Sequence, residues 1–205
     1  LNGRNNGVTE FTSFWSALAY GYYVAPGETI EFDDDYVGDL QINGGDAKLG
    51  DGKTITGDVE VNNGGMIEFG ENSKIEGDLN LGQGGSTTGG SVDSPAQIDG
   101  NVDNNGGTLG GNLDITGDYT GGDNPDGNYS FSPGTSPGII NIGGNFNAGA
   151  GESGLIEIDI SAATQVAGVT HDQVNIGQDL TIPEGDPIEI PLESIAPAGA
   201  TPQAL

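Results

Sequence analysis

Carboxylates are the most abundant groups in this chain that could carry out chemistry. The 31 Asp and Glu residues stand against four Lys and Arg, one His and no Cys. Carboxylate oxygens suit hard cations such as Ca²⁺. The best candidate metal ligands lie in two clusters, Asp33, Asp34 and Asp35 in one and Asp123 and Asp126 in the other. Neither cluster matches a known calcium loop, so Ca²⁺ is a candidate cofactor chiefly because of the charge.

Catalysis has little support in the sequence. His171 beside Asp172 could do acid–base work, but a turn or cap role before the following strand suffices for this pair. No Gly-x-Ser-x-Gly elbow occurs. A glycosidase needs two carboxylates across a cleft, and so many acids make chance pairs inevitable. We therefore assign no catalytic residue and predict a non-enzyme.

The distribution of charge excludes several partners. The only basic residues apart from His171 are Arg4, Lys48, Lys53 and Lys74. The chain after Lys74 therefore could not neutralise a phosphate backbone. We expect no nucleic-acid partner. No stretch reaches the roughly 18 apolar residues of a membrane span, so we also expect no membrane insertion.

A repeat of about 20 residues predicts the fold. Gly38-Asp39-Leu40 recurs as Gly57-Asp58-Val59 and Gly77-Asp78-Leu79, with altered copies further along the chain. Each copy opens a short alternating strand, and a Gly-rich turn follows it. One such coil cannot bury its apolar face alone, whereas stacked coils place Leu40, Val59 and Leu79 in one interior column. The sequence therefore predicts an all-β, right-handed parallel β-helix (β-solenoid). An antiparallel β-sandwich is the alternative, because the turns also suit hairpins.

Three regions follow from this reading. Residues 1–37 are expected to form an N-terminal cap, with a short helix around Phe14, Trp15 and Leu18 and the first strands at Tyr22 and Thr29. Residues 38–182 are expected to form the rungs, with a turn-rich interruption near 121–138. The Pro-rich residues 183–205 read as a tail or an exchanged strand.

One part of the repeat region is similar to a known group. It comprises Ser132 to Gly138, Gly144-Asn145-Phe146, Leu155 to Ile158, and His171 to Gly177 with Leu180 after it. This pattern resembles autotransporter-type passenger domains and related secreted β-helical surface proteins. The resemblance implies export, a right-handed parallel β-helix, and a role as adhesin, sheath or carrier. We expect no translocator barrel within this sequence.

We therefore expect an extracellular structural or adhesive cell-surface protein. It would be a fibre subunit or an adhesin passenger that associates with itself, through the solenoid ends and the C-terminal tail, or with other surface proteins and glycans. The alternatives are a carbohydrate-active β-helix enzyme and a glycan-binding module. The module would use exposed aromatic side chains such as Tyr119 and Tyr129.

Overall fold

The computed structural model describes residues 21–122, 129–134, 138–149, 154–156, 158–160, 171–182, 188–189 and 192–194. The predicted capping helix lies outside these residues, as do Asp123 and Asp126. The described residues contain strands and no helix. This part of the chain contains no helix that is long and apolar enough to cross a membrane.

The strands, numbered along the chain, form three long sheets and one short one. Sheet A has eight strands: β1 (Tyr22–Val24), β3 (Leu40–Asn43), β6 (Val59–Asn62), β9 (Leu79–Leu81), β12 (Val102–Asn104), β15 (Tyr119–Gly121), β18 (Phe146–Asn147) and β22 (Leu180–Thr181). Sheet B has eight strands: β2 (Thr29–Phe32), β4 (Asp46–Leu49), β7 (Met66–Phe69), β10 (Ser86–Gly89), β13 (Thr108–Gly111), β16 (Tyr129–Pro133), β19 (Gly154–Ile156) and β23 (Ile188–Glu189). Sheet C has six strands: β5 (Thr54–Ile55), β8 (Lys74–Ile75), β11 (Ala96–Ile98), β14 (Leu113–Ile115), β17 (Ile139–Ile142) and β21 (Gln173–Ile176). The short sheet pairs β20 (Ile158–Ile160) with β24 (Leu192–Ser194).

Successive strands of one sheet come from successive coils of the chain, and they pair in parallel. Leu40 is in register with Val59, and Val59 with Leu79. All three side chains are fully buried, which confirms the predicted interior column. The predicted β-solenoid is therefore the fold, and the antiparallel sandwich is wrong, because the strand pairs in the described ranges are parallel.

The core is a stack of apolar side chains that alternate along each strand. In β6 the inward residues Val59 and Val61 are buried and the outward Glu60 is exposed. Burying a Val or Leu side chain contributes roughly 1.5–3 kcal/mol. One coil offers only a few such residues, so stability comes from stacking one coil on the next.

The turns between strands contain residues with positive φ, which explains why these segments are rich in Gly. Between β6 and β7 the Gly65 N–H donates to the Asn62 carbonyl at 2.9 Å. The two central residues, Asn63 and Gly64, have φ of 53° and 79°. This is a type I′ turn, for which Asn-Gly is the favoured pair.

The parallel stack includes strands outside the predicted rungs of residues 38–182 and strands beside the predicted interruption. Within 1–37, β1 and β2 pair in parallel with β3 and β4. Strands on both sides of residues 123–128 keep this pairing, since β16 lies between β13 and β19. Within 183–205, β23 and β24 pair with β19 and β20.

Candidate functional site

A ladder of Asp and Asn side chains runs up the corner before sheet A. Each side chain except that of the last member, Asp179, accepts a hydrogen bond through Oδ1 from the backbone N–H of its counterpart one rung later. The acceptor–donor pairs are Asp39–Asp58 (3.0 Å), Asp58–Asp78 (2.8 Å), Asp78–Asn101 (2.7 Å), Asn101–Asp118 (3.0 Å), Asp118–Asn145 (2.7 Å) and Asn145–Asp179 (3.2 Å). We call these seven residues the corner ladder. At this corner, which lies outside the strands, the ladder side chains supply the acceptors for backbone N–H groups.

The Gly before each ladder residue from Asp58 to Asn145 allows this close approach, whereas Asp179 follows Gln178. A Cβ added at Gly77 would overlap Oδ1 of Asp58 and lie 2.6 Å from the Gly57 carbonyl oxygen. Gly57, Gly100, Gly117 and Gly144 would meet the preceding rung in the same way. The Gly-Asp part of the repeat is therefore a packing requirement of the corner.

Charge is unevenly distributed along the corner ladder. Asp39, Asp58 and Asp78 follow one another without a neutral residue between them, whereas Asn101 and Asn145 flank Asp118. Carboxylates about 4.8 Å apart repel by roughly 1 kcal/mol in water. Next to Asp118 such repulsion is replaced by attraction, because the Asn145 side-chain amide donates a hydrogen bond to Oδ1 of Asp118 at 3.1 Å.

The described members of the predicted metal site, Asp33, Asp34 and Asp35, are not grouped as the ligands of a metal ion would be. Asp35 Oδ1 accepts a hydrogen bond from the Thr54 N–H at 3.0 Å, which ties the first rung to the second. No three acidic or His side chains in the described ranges are grouped so that they could share a metal ion. Asp33 and Asp34 adjoin Asp35 in the same bend. Calcium binding at this bend stays a prediction.

Asp172 of the His171–Asp172 pair holds the backbone of a neighbouring rung. Its side chain is 5% exposed, and Oδ1 accepts a hydrogen bond from the Gly138 N–H at 2.6 Å. Gln173, the next residue, starts β21 and pairs with Ile139. This hydrogen bond suits the turn or cap role that the sequence suggested for the pair.

The aromatic residues suggested as a glycan platform are buried, so that expectation is wrong. Tyr119 and Tyr129 are 0% and 1% exposed. Their rings pack edge to face at 6.3 Å, and Tyr119 also packs on Phe131 and Phe146 at 5.1 and 4.7 Å. The alternation of β15 and β16 places these rings inward, where the aromatic pairs fill the core.

One buried amide connects this aromatic cluster to the backbone. The Asn104 side chain is fully buried, and its Nδ2 donates to the Tyr119 hydroxyl at 3.2 Å and to the Ser130 carbonyl at 3.1 Å. Its Oδ1 accepts from the Gly107 N–H at 2.8 Å. Burial raises the pKa of the Tyr119 phenol, and the hydrogen bond with Asn104 only partly opposes that shift.

The two ends of the stack differ in exposure. In the first rung the inward side chains of Val24 and Phe32 are 1% and 8% exposed. In the last rung Leu180, in register with Phe146, is 55% exposed, and Ile182 is 46% exposed. Within the described residues, β21, β22 and β23 each lie at the end of their sheet. As far as the described residues go, the C-terminal end therefore presents both apolar side chains and strand edges without a neighbouring strand.

Sequence reasoning missed the corner ladder. It expected association through the solenoid ends, but it did not identify Leu180 and Ile182 as the exposed residues there. The recurring Gly-Asp pair was the signal for the ladder, since a fixed polar residue at one point of every coil faces its own copies. Comparison with known proteins adds no further evidence: no family model matches the chain, and neither a curated protein nor a solved structure is significantly similar to it.

Proposed function

We propose that this chain is an extracellular structural or adhesive protein of a cell surface, either a fibre subunit or an adhesin passenger. The observation that carries the proposal is the corner ladder, in which recurring polar side chains hold one rung to the next. A stack joined in this way at every level suits a stiff spacer that holds a binding partner away from a cell. The resemblance to autotransporter-type passengers supports the same role.

The acidic surface fits a protein that works outside the cell. A formal charge of −27 keeps single chains apart and soluble. Assembly into a fibre then requires salt or divalent cations that screen the charge, since screening shortens the range of repulsion to roughly 8 Å at physiological ionic strength.

Labelling of intact source cells tests the proposed location. Antibodies raised against the folded chain should label cells that have not been permeabilised, and electron micrographs should show the label on fibres or on a surface layer. Label that appears only after permeabilisation would contradict the proposal. A product assay on acidic and neutral glycans tests the enzyme alternative, which gains support if turnover is lost on one Asp or Glu substitution.

Chelation tests the role of cations in assembly. Excess chelator at low salt should shorten filaments and lower their thermal stability, because the carboxylates would lose their counter-ions. Filaments that keep both properties would rule out bridging by cations and leave the surface location to be judged by the labelling.

A further inference from the structure

The open C-terminal end of the stack is the strongest candidate for an interaction surface. Leu180 and Ile182 continue interior columns of the core, yet about half of each side chain is exposed. The same end carries the outer edges of β21, β22 and β23, which have no further strand beside them within the described residues. Unpaired strand edges with apolar side chains beside them are sites where another chain can be added.

Charge restricts what can cover this end. After Lys74 the chain has no Lys or Arg, and the residues from His171 onward contain six acids. Two C-terminal ends facing each other would therefore bring acids against acids. A suitable occupant is apolar and carries no excess of negative charge.

The N-terminal segment of the same chain has these properties. Residues 1–20 contain one acid, Glu10, and one base, Arg4, so their formal charge is zero in a protein of −27. They also contain Phe11, Phe14, Trp15, Leu18 and Tyr20. No stretch of this length that lies wholly after residue 20 is both neutral and as rich in aromatic residues.

The position of this segment favours a second copy over the same molecule. It joins the stack at Gly21, beside the first rung, and the end exposing Leu180 is at the other extremity of the eight-stranded sheet A. Seven strand spacings separate the two, about 34 Å at ~4.8 Å per spacing. To reach that end in the same molecule, about ten residues of the segment would have to be fully extended, at about 3.3 Å each.

We propose that residues 1–20 of one copy dock on the Leu180–Ile182 end of another, so that copies associate head to tail. The inference rests on the proposed self-association and specifies its two surfaces. The contact is heterologous, because each copy contributes a different surface, and it extends into a filament unless the rotation closes a ring.

The only Trp of the chain, Trp15, lies in the docking segment and reports on it. In the intact 205-residue chain, at a salt concentration that screens the charge, Trp15 emission should shift to shorter wavelength as the protein concentration rises, in parallel with the sedimentation coefficient. Leu180→Asp should weaken association about tenfold or more, since a charge would enter an apolar contact. Ile182→Asp is the second variant. Gln97→Asp, an exposed mid-stack position, adds the same charge as a control and should leave association unchanged.

Mixing two defective variants decides the geometry. Phe14→Asp impairs only the docking segment and Leu180→Asp only the open end. At protein concentrations below the weakened dissociation constant, each variant alone should be monomeric, and their mixture should form dimers and nothing longer. Phe14→Asp chains that still self-associate would overturn the inference. Trp15 emission that is independent of concentration but altered by Leu180→Asp would indicate docking within one molecule, and would overturn it too. Filaments unaffected by Leu180→Asp and Ile182→Asp would overturn this inference and leave the proposed function standing, whereas a failure of cell-surface labelling would reject only the latter.

Discussion

Asp58 Oδ1 accepts a hydrogen bond of 2.8 Å from the backbone N–H of Asp78, the residue at the same corner one rung later. Similar bonds join Asp39 to Asp58 and Asp78 to Asn101. The repeat thus encodes its own stacking contact: the residue that receives a bond from the next rung also gives one to the rung before.

Removing one acceptor from the corner ladder should weaken the stack. Asp58→Ala leaves the Asp78 N–H without its acceptor, and we expect a loss of about 1 kcal/mol in the free energy of unfolding. Asp58→Asn keeps the acceptor and relieves repulsion from Asp39 and Asp78, so it should be neutral or stabilising. Urea unfolding measures both. Glu31→Ala, an exposed acid without such a bond, is the control, and an equal loss there would remove the ladder from the account.

The Gly before a ladder residue should tolerate substitution poorly. In Gly77→Ala the new Cβ meets the Asp58 carboxylate and the Gly57 carbonyl, so the rungs must separate, at a cost of about 1–3 kcal/mol. In Gly64→Ala the Cβ has open space and the cost is only that of a left-handed Ala, about 1–2 kcal/mol. Thermal unfolding should place Gly77→Ala below Gly64→Ala. The reverse order would contradict the close packing of the corner.

Replacing the buried Asn104 by an apolar residue should destabilise the protein. Asn104 occupies an inward position in register with Leu81, so Asn104→Leu matches the column by shape. It nevertheless deprives the Gly107 N–H and the Ser130 carbonyl of their partners, at about 1–3 kcal/mol for each buried group. The matched control is Leu81→Met, which should cost less than about 1.5 kcal/mol. An Asn104→Leu variant as stable as the wild type would show that the amide network is dispensable.

Asp103 should make stability depend on pH. Partial burial, and secondarily the charge of Asp78, raise the pKa of the Asp103 carboxyl above its unfolded value. The folded state therefore holds this proton more firmly, and the resulting stabilisation is complete below the unfolded pKa, about 3.9, and is lost as pH rises through the folded pKa. Asp103→Asn should gain stability relative to the wild type at pH 7 and not at pH 3. A gain of equal size at both values would contradict this assignment.

How much the sequence predicts varies with the kind of residue. Leu40, Val59 and Leu79 recur at one phase of an alternating pattern, which fixes both their inward direction and the coil they share. Tyr119 follows the same Gly-Asp signal, yet its aromatic type suggested an exposed platform, and the phase of the strand proved the better guide. The exposure of Leu180 depends on which described coil is last in the stack. Like the buried residues before it, Leu180 follows a ladder residue, and the local difference is that Gln178 stands where the earlier copies have Gly.

The candidate site was harder to predict than the fold for a similar reason. Consecutive acids such as Asp33, Asp34 and Asp35 suggested a metal centre, because clustering along the sequence was the only proximity available. In the fold, residues of successive rungs lie next to one another, and the partner of the Asp35 side chain is the Thr54 N–H of the next rung. The recurring single Asp of each coil was therefore more informative than the acidic run.

Cross-linking of outward residues tests the central claim, parallel stacking in register, most directly. The chain has no Cys, and Gln41 and Glu60 are register partners on the outer face of sheet A. Their Cα atoms should lie about 4.8 Å apart, within disulfide range, whereas Gln41 and Asn80 are two rungs apart at about 9.6 Å, beyond it. On oxidation, a Gln41→Cys/Glu60→Cys variant should form an intramolecular disulfide, and Gln41→Cys/Asn80→Cys should not. A disulfide in the second variant and none in the first would contradict the stacked solenoid.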